Sequence, residues 1–167
     1  MARAWLARLL GLPSPPLRPP GALDEEAFAA RCIRCGRCAE VCAYRALRPA
    51  GARRLLEAGT PEVVAREAPC WLCMRCPPVC PTGALADVRA PRDVRMGRAR
   101  VDPGRCYAHQ GVMCRTCLDA CPLVGEAIAQ DDELRPVVTD RCVGCGLCEH
   151  RCPAGPAAIV VVPRGAA

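Results

Sequence analysis

Cys142-Val143-Gly144-Cys145-Gly146-Leu147-Cys148-Glu149-His150-Arg151-Cys152-Pro153 sets four cysteines at the spacing C-x2-C-x2-C-x3-C and closes on proline. Three cysteines at steps of three wrap a tight loop around one iron–sulfur cube, and the fourth, followed by Pro, points away toward the other cube of a pair. The same spacing recurs at Cys32, Cys35, Cys38, Cys42 and at Cys70, Cys73, Cys76, Cys80. A variant, C-x7-C-x2-C-x3-C, runs through Cys106, Cys114, Cys117 and Cys121. Pro81 and Pro122 follow the second and third runs as Pro153 follows the fourth; Ala43 follows the first. The 16 cysteines are thus used up, which predicts four [4Fe–4S] clusters and leaves no thiol for catalysis.

Other readings of so many cysteines fit less well. Zinc sites use two C-x2-C pairs, not runs of three with a distal Cys-Pro. Disulfides have no reason to repeat one register three times, and close C-x2-C pairs make poor structural bridges. Aromatic residues are only 3% of the 167-residue chain, too few to build much core, so bound clusters are expected to fill and staple the interior. The formal charge of +6 counts every cysteine as neutral. Four clusters at about −2 each, thiolates included, add about −8 and bring the holoprotein to about −2. Nucleic-acid binding, the usual inference from a pI of 8.6, is therefore rejected. No phosphate loop, nucleotide fingerprint or Ser–His–Asp set points to a small-molecule substrate, so the chain reads as a protein without catalytic residues of its own.

The runs form an internal repeat, and each pair suits one two-cluster unit. Strands are expected at 97–102 before Cys106, at 135–140 before Cys142 and at 158–162 after Cys152. A looser candidate lies at 61–66, after a helical insertion over 52–58. The expected fold is α+β: two tandem bacterial dicluster-ferredoxin-like modules, loop-rich and built around iron–sulfur clusters. Residues 22–95 form the first module and 96–167 the second, behind a segment over 1–21. In that segment Met1 to Leu12 is expected as a short amphipathic helix carrying Trp5, Leu6, Leu9 and Leu10, and Pro13, Pro15, Pro16, Pro19 and Pro20 as a stiff extended arm. Its apolar stretch is too short for a transmembrane helix or a signal peptide.

Flanks of the runs carry a resemblance. Residues 17–23 before the first run, Gly59-Thr60-Pro61 and Arg66-Glu67-Ala68-Pro69 before the second, and Val79 to Leu85 across its end are similar to the NapG/MauM ferredoxin-type proteins. So are Arg95-Met96-Gly97, the long-spaced third run with Gln110-Gly111 inside it, and Pro156 to Ile159. NapF-like proteins share the four runs but match the flanks less well. The resemblance implies a relay from a quinol-oxidising, NapH/MauN-like membrane iron–sulfur protein to a downstream redox enzyme such as a nitrate reductase or an amine dehydrogenase system. Two departures stand out: Cys73 to Cys76 is two residues shorter than the family's usual spacing, and no twin-arginine pair precedes the runs. The sequence as it stands reads as cytoplasmic, and an upstream twin-arginine signal would put the protein on the periplasmic face of the membrane. The cytoplasmic reading brings in the alternative of a NapF-like maturation factor for a reductase; a zinc-stapled interaction module is the third class.

With the last cysteine of each run serving the partner cluster, neighbouring runs pair. Cluster 1 then takes Cys32, Cys35, Cys38 and Cys80, and cluster 2 takes Cys70, Cys73, Cys76 and Cys42. Cluster 3 takes Cys106, Cys114, Cys117 and Cys152, and cluster 4 takes Cys142, Cys145, Cys148 and Cys121. The rival is a nested arrangement, first run with fourth and second with third. Trp71 and Met74 are expected to shield a cluster. His109 stands where a standard run has its second cysteine, yet four cysteines already complete that set, so a loop role is expected for it; His150 is expected in solvent. Anaerobically purified protein should be brown and hold about sixteen irons, four per cluster. Stoichiometric zinc with little iron or acid-labile sulfide would overturn this reading.

Overall fold

The computed structural model describes residues 15–165; the amphipathic helix expected over 1–12 and Pro13 lie outside them. Two halves repeat one plan. In the second half, β3 (Gly97–Val101) pairs antiparallel with β6 (Ile159–Pro163), so the ends of that half close on each other. Between them β4 (Ile128–Gln130) and β5 (Pro136–Val138) form a hairpin. In the first half, β1 (Leu47–Pro49) and β2 (Pro61–Val63) form the matching hairpin. There the ends close through a single bridge instead of a strand pair, Ala22 opposite Leu85, while Leu17 adds to the hairpin by a bridge to Val63 of β2.

Alternation explains β6. Ile159 and Val161 point into the core while Val160 faces solvent, the period of two that a half-buried strand requires. The strands expected at 97–102, 135–140 and 61–66 are present but shorter, and the one expected at 158–162 is shifted by one residue. Strands β1 and β4 were not legible, because at three residues each they are held by their hairpin partners and not by an apolar pattern of their own. The insertion after β1 is a 3-10 helix over Ala52–Glu57, and its Arg54 reaches Glu62, a nearly buried carboxylate, at 3.0 Å.

The proline-rich arm is more than a spacer. From Leu17 onward it is built into the first half, and Pro19 and Pro20 are among the largest fully buried side chains. Arg18 anchors it. This buried guanidinium pairs with Glu25, donates to the Thr60 hydroxyl at 2.7 Å and the Pro61 carbonyl at 3.0 Å, and lies 4.5 Å from the Phe28 ring centre. A buried charge needs that many partners to be tolerated. Phe28 itself sits on α1 (Glu25–Arg31), which starts at an Asp24 cap with Glu25 and Glu26 in the first turn.

Three further helical turns, α2 (Arg37–Glu40), α3 (Thr116–Asp119) and α4 (Leu147–Arg151), fall inside the cysteine runs. Each precedes the last cysteine of its run. The turn separates the third and fourth cysteines, which line different cavities, and where Pro122 and Pro153 follow, the missing N–H of proline stops the chain from continuing as helix.

Both halves share one core. Leu17, Phe28, Leu47, Val63, Leu85, Val94, Met96, Leu118, Ile128, Val143, Leu147 and Ile159 belong to a single packed cluster, together with Cys70, Cys76, Cys145 and Cys148. Cysteines stand where a domain of this size would place large aliphatic side chains. Removing the clusters under reducing, anaerobic conditions should therefore abolish cooperative melting of the protein, since metal binding supplies much of the folding energy. A sharp, unchanged transition in the apoprotein would contradict this.

Candidate metal centres

Among the described residues, four cavities are each lined by four cysteines. Cys32, Cys35, Cys38 and Cys80 line the first; Cys42, Cys70, Cys73 and Cys76 the second. The third is lined by Cys106, Cys114, Cys117 and Cys152, and the fourth by Cys121, Cys142, Cys145 and Cys148. Each cavity thus meets three cysteines of one run and the last cysteine of the neighbouring run. Cys152 lines the third cavity, and the lining of the first does not include it. Among the described residues, no three His, Cys, Asp or Glu side chains converge on a point where a single metal ion could sit. Sulfurs spread around a cavity suit a polynuclear group better than zinc.

Backbone conformation builds the loops. The residues just before and just after the second cysteine are left-handed in three runs: Arg34 and Gly36, Leu72 and Met74, Gly144 and Gly146. That alternation curls successive peptide groups around one centre, a geometry suited to an anion. Glycine adopts it freely, whereas Arg34, Leu72 and Met74 carry a cost of roughly 1–2 kcal/mol each. Only the first and fourth runs show a glycine to mark it, so the sequence revealed part of the pattern. The third run, with its longer loop, instead makes a 3-10 turn at Ala108–Gln110 closed by left-handed Gly111.

Sulfur also finds donors. The N–H groups of Ala46, Leu72, Ala99 and Ala158 point at the sulfurs of Cys42, Cys70, Cys142 and Cys152, at 3.3–3.5 Å. Two hydroxyls join them: Thr82 lies 3.7 Å from Cys80 Sγ and Thr116 lies 3.8 Å from Cys114 Sγ. Burial pushes the thiols of Cys70 and Cys76 up to about 12 and those of Cys38, Cys117 and Cys145 up to about 11. Cys148 moves in the same direction for the same reason. Cys80 is the exception. Burial raises it, but the N–H groups of Leu85, Thr82 and Ala84 and the Thr82 hydroxyl outweigh burial and hold it below the usual thiol value. At neutral pH the buried thiols keep their protons, so iron must displace them and binds more readily as pH rises.

The remaining expectations can be placed. Trp71 and Met74 line the second cavity, where Trp71 stacks on Tyr44 with ring centres 5.3 Å apart. His109 is on the 3-10 turn and does not line the third cavity. His150 is half-buried, with Nδ1 at 2.9 Å from the Arg66 carbonyl. Arg66 was missed as a structural residue: from the first half it donates to the carbonyls of Glu149 at 2.7 Å and Cys152 at 2.9 Å, capping the end of α4. An arginine in a loop gives no sequence signal of such a distant partner.

Two 4Fe-4S dicluster domain models match the chain, one over residues 31–84 and the other over 101–153. The ferredoxin-type protein NapG of Escherichia coli is 42% identical over 162 residues, covering 88% of this chain and 70% of that protein. The methylamine utilization ferredoxin-type protein MauM of Methylorubrum extorquens is 42% identical over 160 residues, 89% of this chain and 73% of its own length. The chain belongs to the NapG/MauM family of ferredoxin-type proteins. Its two dicluster domains and 16 cysteines hold four [4Fe–4S] clusters, and as an iron–sulfur protein of this family it transfers electrons. NapF of Haemophilus influenzae is a weaker match, 37% identical over 141 residues, 82% of this chain and 74% of that protein. Among the described residues no helix is long and apolar enough to cross a membrane.

Hydrogen bonds to cluster sulfur stabilise the reduced, more negative state and so raise the potential. Thr82→Val keeps the side chain's shape and removes one such bond. It should lower the potential of one cluster by about 20–60 mV, the one-electron equivalent of roughly 0.5–1.4 kcal/mol, and leave the other three unchanged in a potentiometric titration followed by EPR.

Proposed function

We propose that each cysteine quartet around a cavity holds one [4Fe–4S] cluster, with the allocation expected from the runs: Cys32, Cys35, Cys38, Cys80; Cys70, Cys73, Cys76, Cys42; Cys106, Cys114, Cys117, Cys152; and Cys142, Cys145, Cys148, Cys121. The observation that carries this reading is the lining of the four cavities, three cysteines from one loop and one from its neighbour. Each bound cluster would supply storage for one electron at a time. The protein's own part is to present deprotonated sulfur, to aim N–H and O–H donors at it, and to limit water at the cavity walls with Trp71, Met74 and the small apolar residues of the core.

On this reading the protein relays electrons from a quinol-oxidising, NapH/MauN-like membrane iron–sulfur protein to a downstream redox enzyme, of the nitrate reductase or amine dehydrogenase kind. The names of its NapG and MauM relatives support that setting. The weaker NapF match supports a second reading, a maturation factor that docks on a reductase precursor in the cytoplasm. The two part on one experiment. Membranes carrying a NapH/MauN-type protein, supplied with quinol, should bleach the visible absorbance of the oxidised holoprotein, and the redox enzyme should restore it. Stable co-purification with an enzyme precursor and no quinol-dependent bleaching would favour the maturation reading.

A further inference from the structure

Contacts between the four sites are not confined to neighbours in the sequence. Within the first half, α2, which carries Cys38 of the first site, packs against the 3-10 turn Pro77–Val79 that follows Cys76 of the second. In the second half the helices that carry Cys148 of the fourth site and Cys117 of the third, α4 and α3, pack together. In both halves, then, the segments at the third cysteine of each run meet.

The junction between the halves is more direct. The backbone N–H of Cys70 donates to the carbonyl of Cys145 at 2.9 Å. Cys70 belongs to the second site and Cys145 to the fourth. Around this bond the halves are closely fitted. Ala65 faces Gly146, where a Cβ would come within 2.4 Å of the Ala65 Cβ, and Arg66 caps α4 from across the junction. No comparable bond joins the first half to the third run among the backbone contacts of the described residues.

We propose that the Cys70–Cys145 hydrogen bond is the electron bridge between the modules, so that the sites form a single file in the order first, second, fourth, third. This rests on the allocation of cysteines given above. From the sulfur of Cys70 the bridge runs through its Cβ, Cα and N–H, across one hydrogen bond, and through the carbonyl, Cα and Cβ of Cys145 to sulfur. Tunnelling decays less steeply through such a path than through a van der Waals gap. One electron is lost on one side and gained on the other; no bond forms or breaks, and the amide proton stays on the Cys70 nitrogen. The first and third sites become the two ends of the file, and removing the third does not divide it.

Spin coupling between reduced clusters in the holoprotein tests this order. Cys114→Ala deletes the third site and should leave three clusters, all of them coupled in EPR of the fully reduced protein. Cys142→Ala deletes the fourth site and should leave the third isolated, giving one uncoupled signal beside a coupled pair. The reverse pattern, an isolated cluster in Cys114→Ala and three coupled clusters in Cys142→Ala, would overturn the proposal in favour of the order of the sequence. Retention of about twelve irons shows that the other sites have survived. Where a variant retains fewer, Cys114→Ser and Cys142→Ser keep an oxygen ligand and mark the cluster by a shifted potential; the coupling partner of the marked cluster then decides between the same two orders. Cys121→Ala separates this failure from failure of the allocation. It should remove the same signal as Cys142→Ala, and removal of a different signal would refute the quartets whatever the order.

Discussion

The last cysteine of each run leaves its own loop and faces the cavity of the run beside it. Everything else in the molecule is arranged around that crossing. A single loop can offer three sulfurs to a cavity, and the fourth must come from a segment tens of residues away. Each half is therefore laced twice, by Cys80 and Cys42 in the first and by Cys152 and Cys121 in the second. The helical turn before the last cysteine lets one short segment touch both cavities. Two cavities of one half must then lie side by side, which is the condition for passing an electron between them.

The lacing also explains a core of such modest side chains. Phe28 is a fully buried aromatic in a molecule with a single Phe, and much of the interior is Ala, Val and Leu around cysteine. Ordering a chain costs conformational entropy that a core of small apolar side chains offsets poorly, and metal binding is a source of folding energy in such domains. Protein contacts do the finer positioning. Arg18 seats the N-terminal arm on Phe28, Thr60 and Pro61, and Arg66 holds the second half against the first at the end of α4.

Much of the site was readable because its chemistry is local. Cysteine spacing declares the loop, its count declares the number of clusters, and alternating Ile159, Val160 and Val161 declare a strand. Other features carried no such mark. Left-handed Leu72 and Met74 do in the second run what glycines do in the fourth, and nothing about Leu or Met announces that backbone. Proline made residues 13–20 look like a spacer, whereas the burial of Pro19 and Pro20 depends on partners in the first module.

By itself the sequence determined the number of clusters, the duplicated plan and the family, since each follows from residue types at short, fixed separations. Tertiary structure decided which cavity each terminal cysteine faces and which sites are neighbours. Those facts depend on contacts such as Cys70 with Cys145, 75 residues apart, and Arg66 with Glu149. A backbone N–H and a backbone carbonyl are present at every non-proline residue, so no sequence pattern marks the pair that meets. The close packing of Ala65 against Gly146 and the reach of Arg66 to the end of α4 lie beside this bond and hold the two segments together.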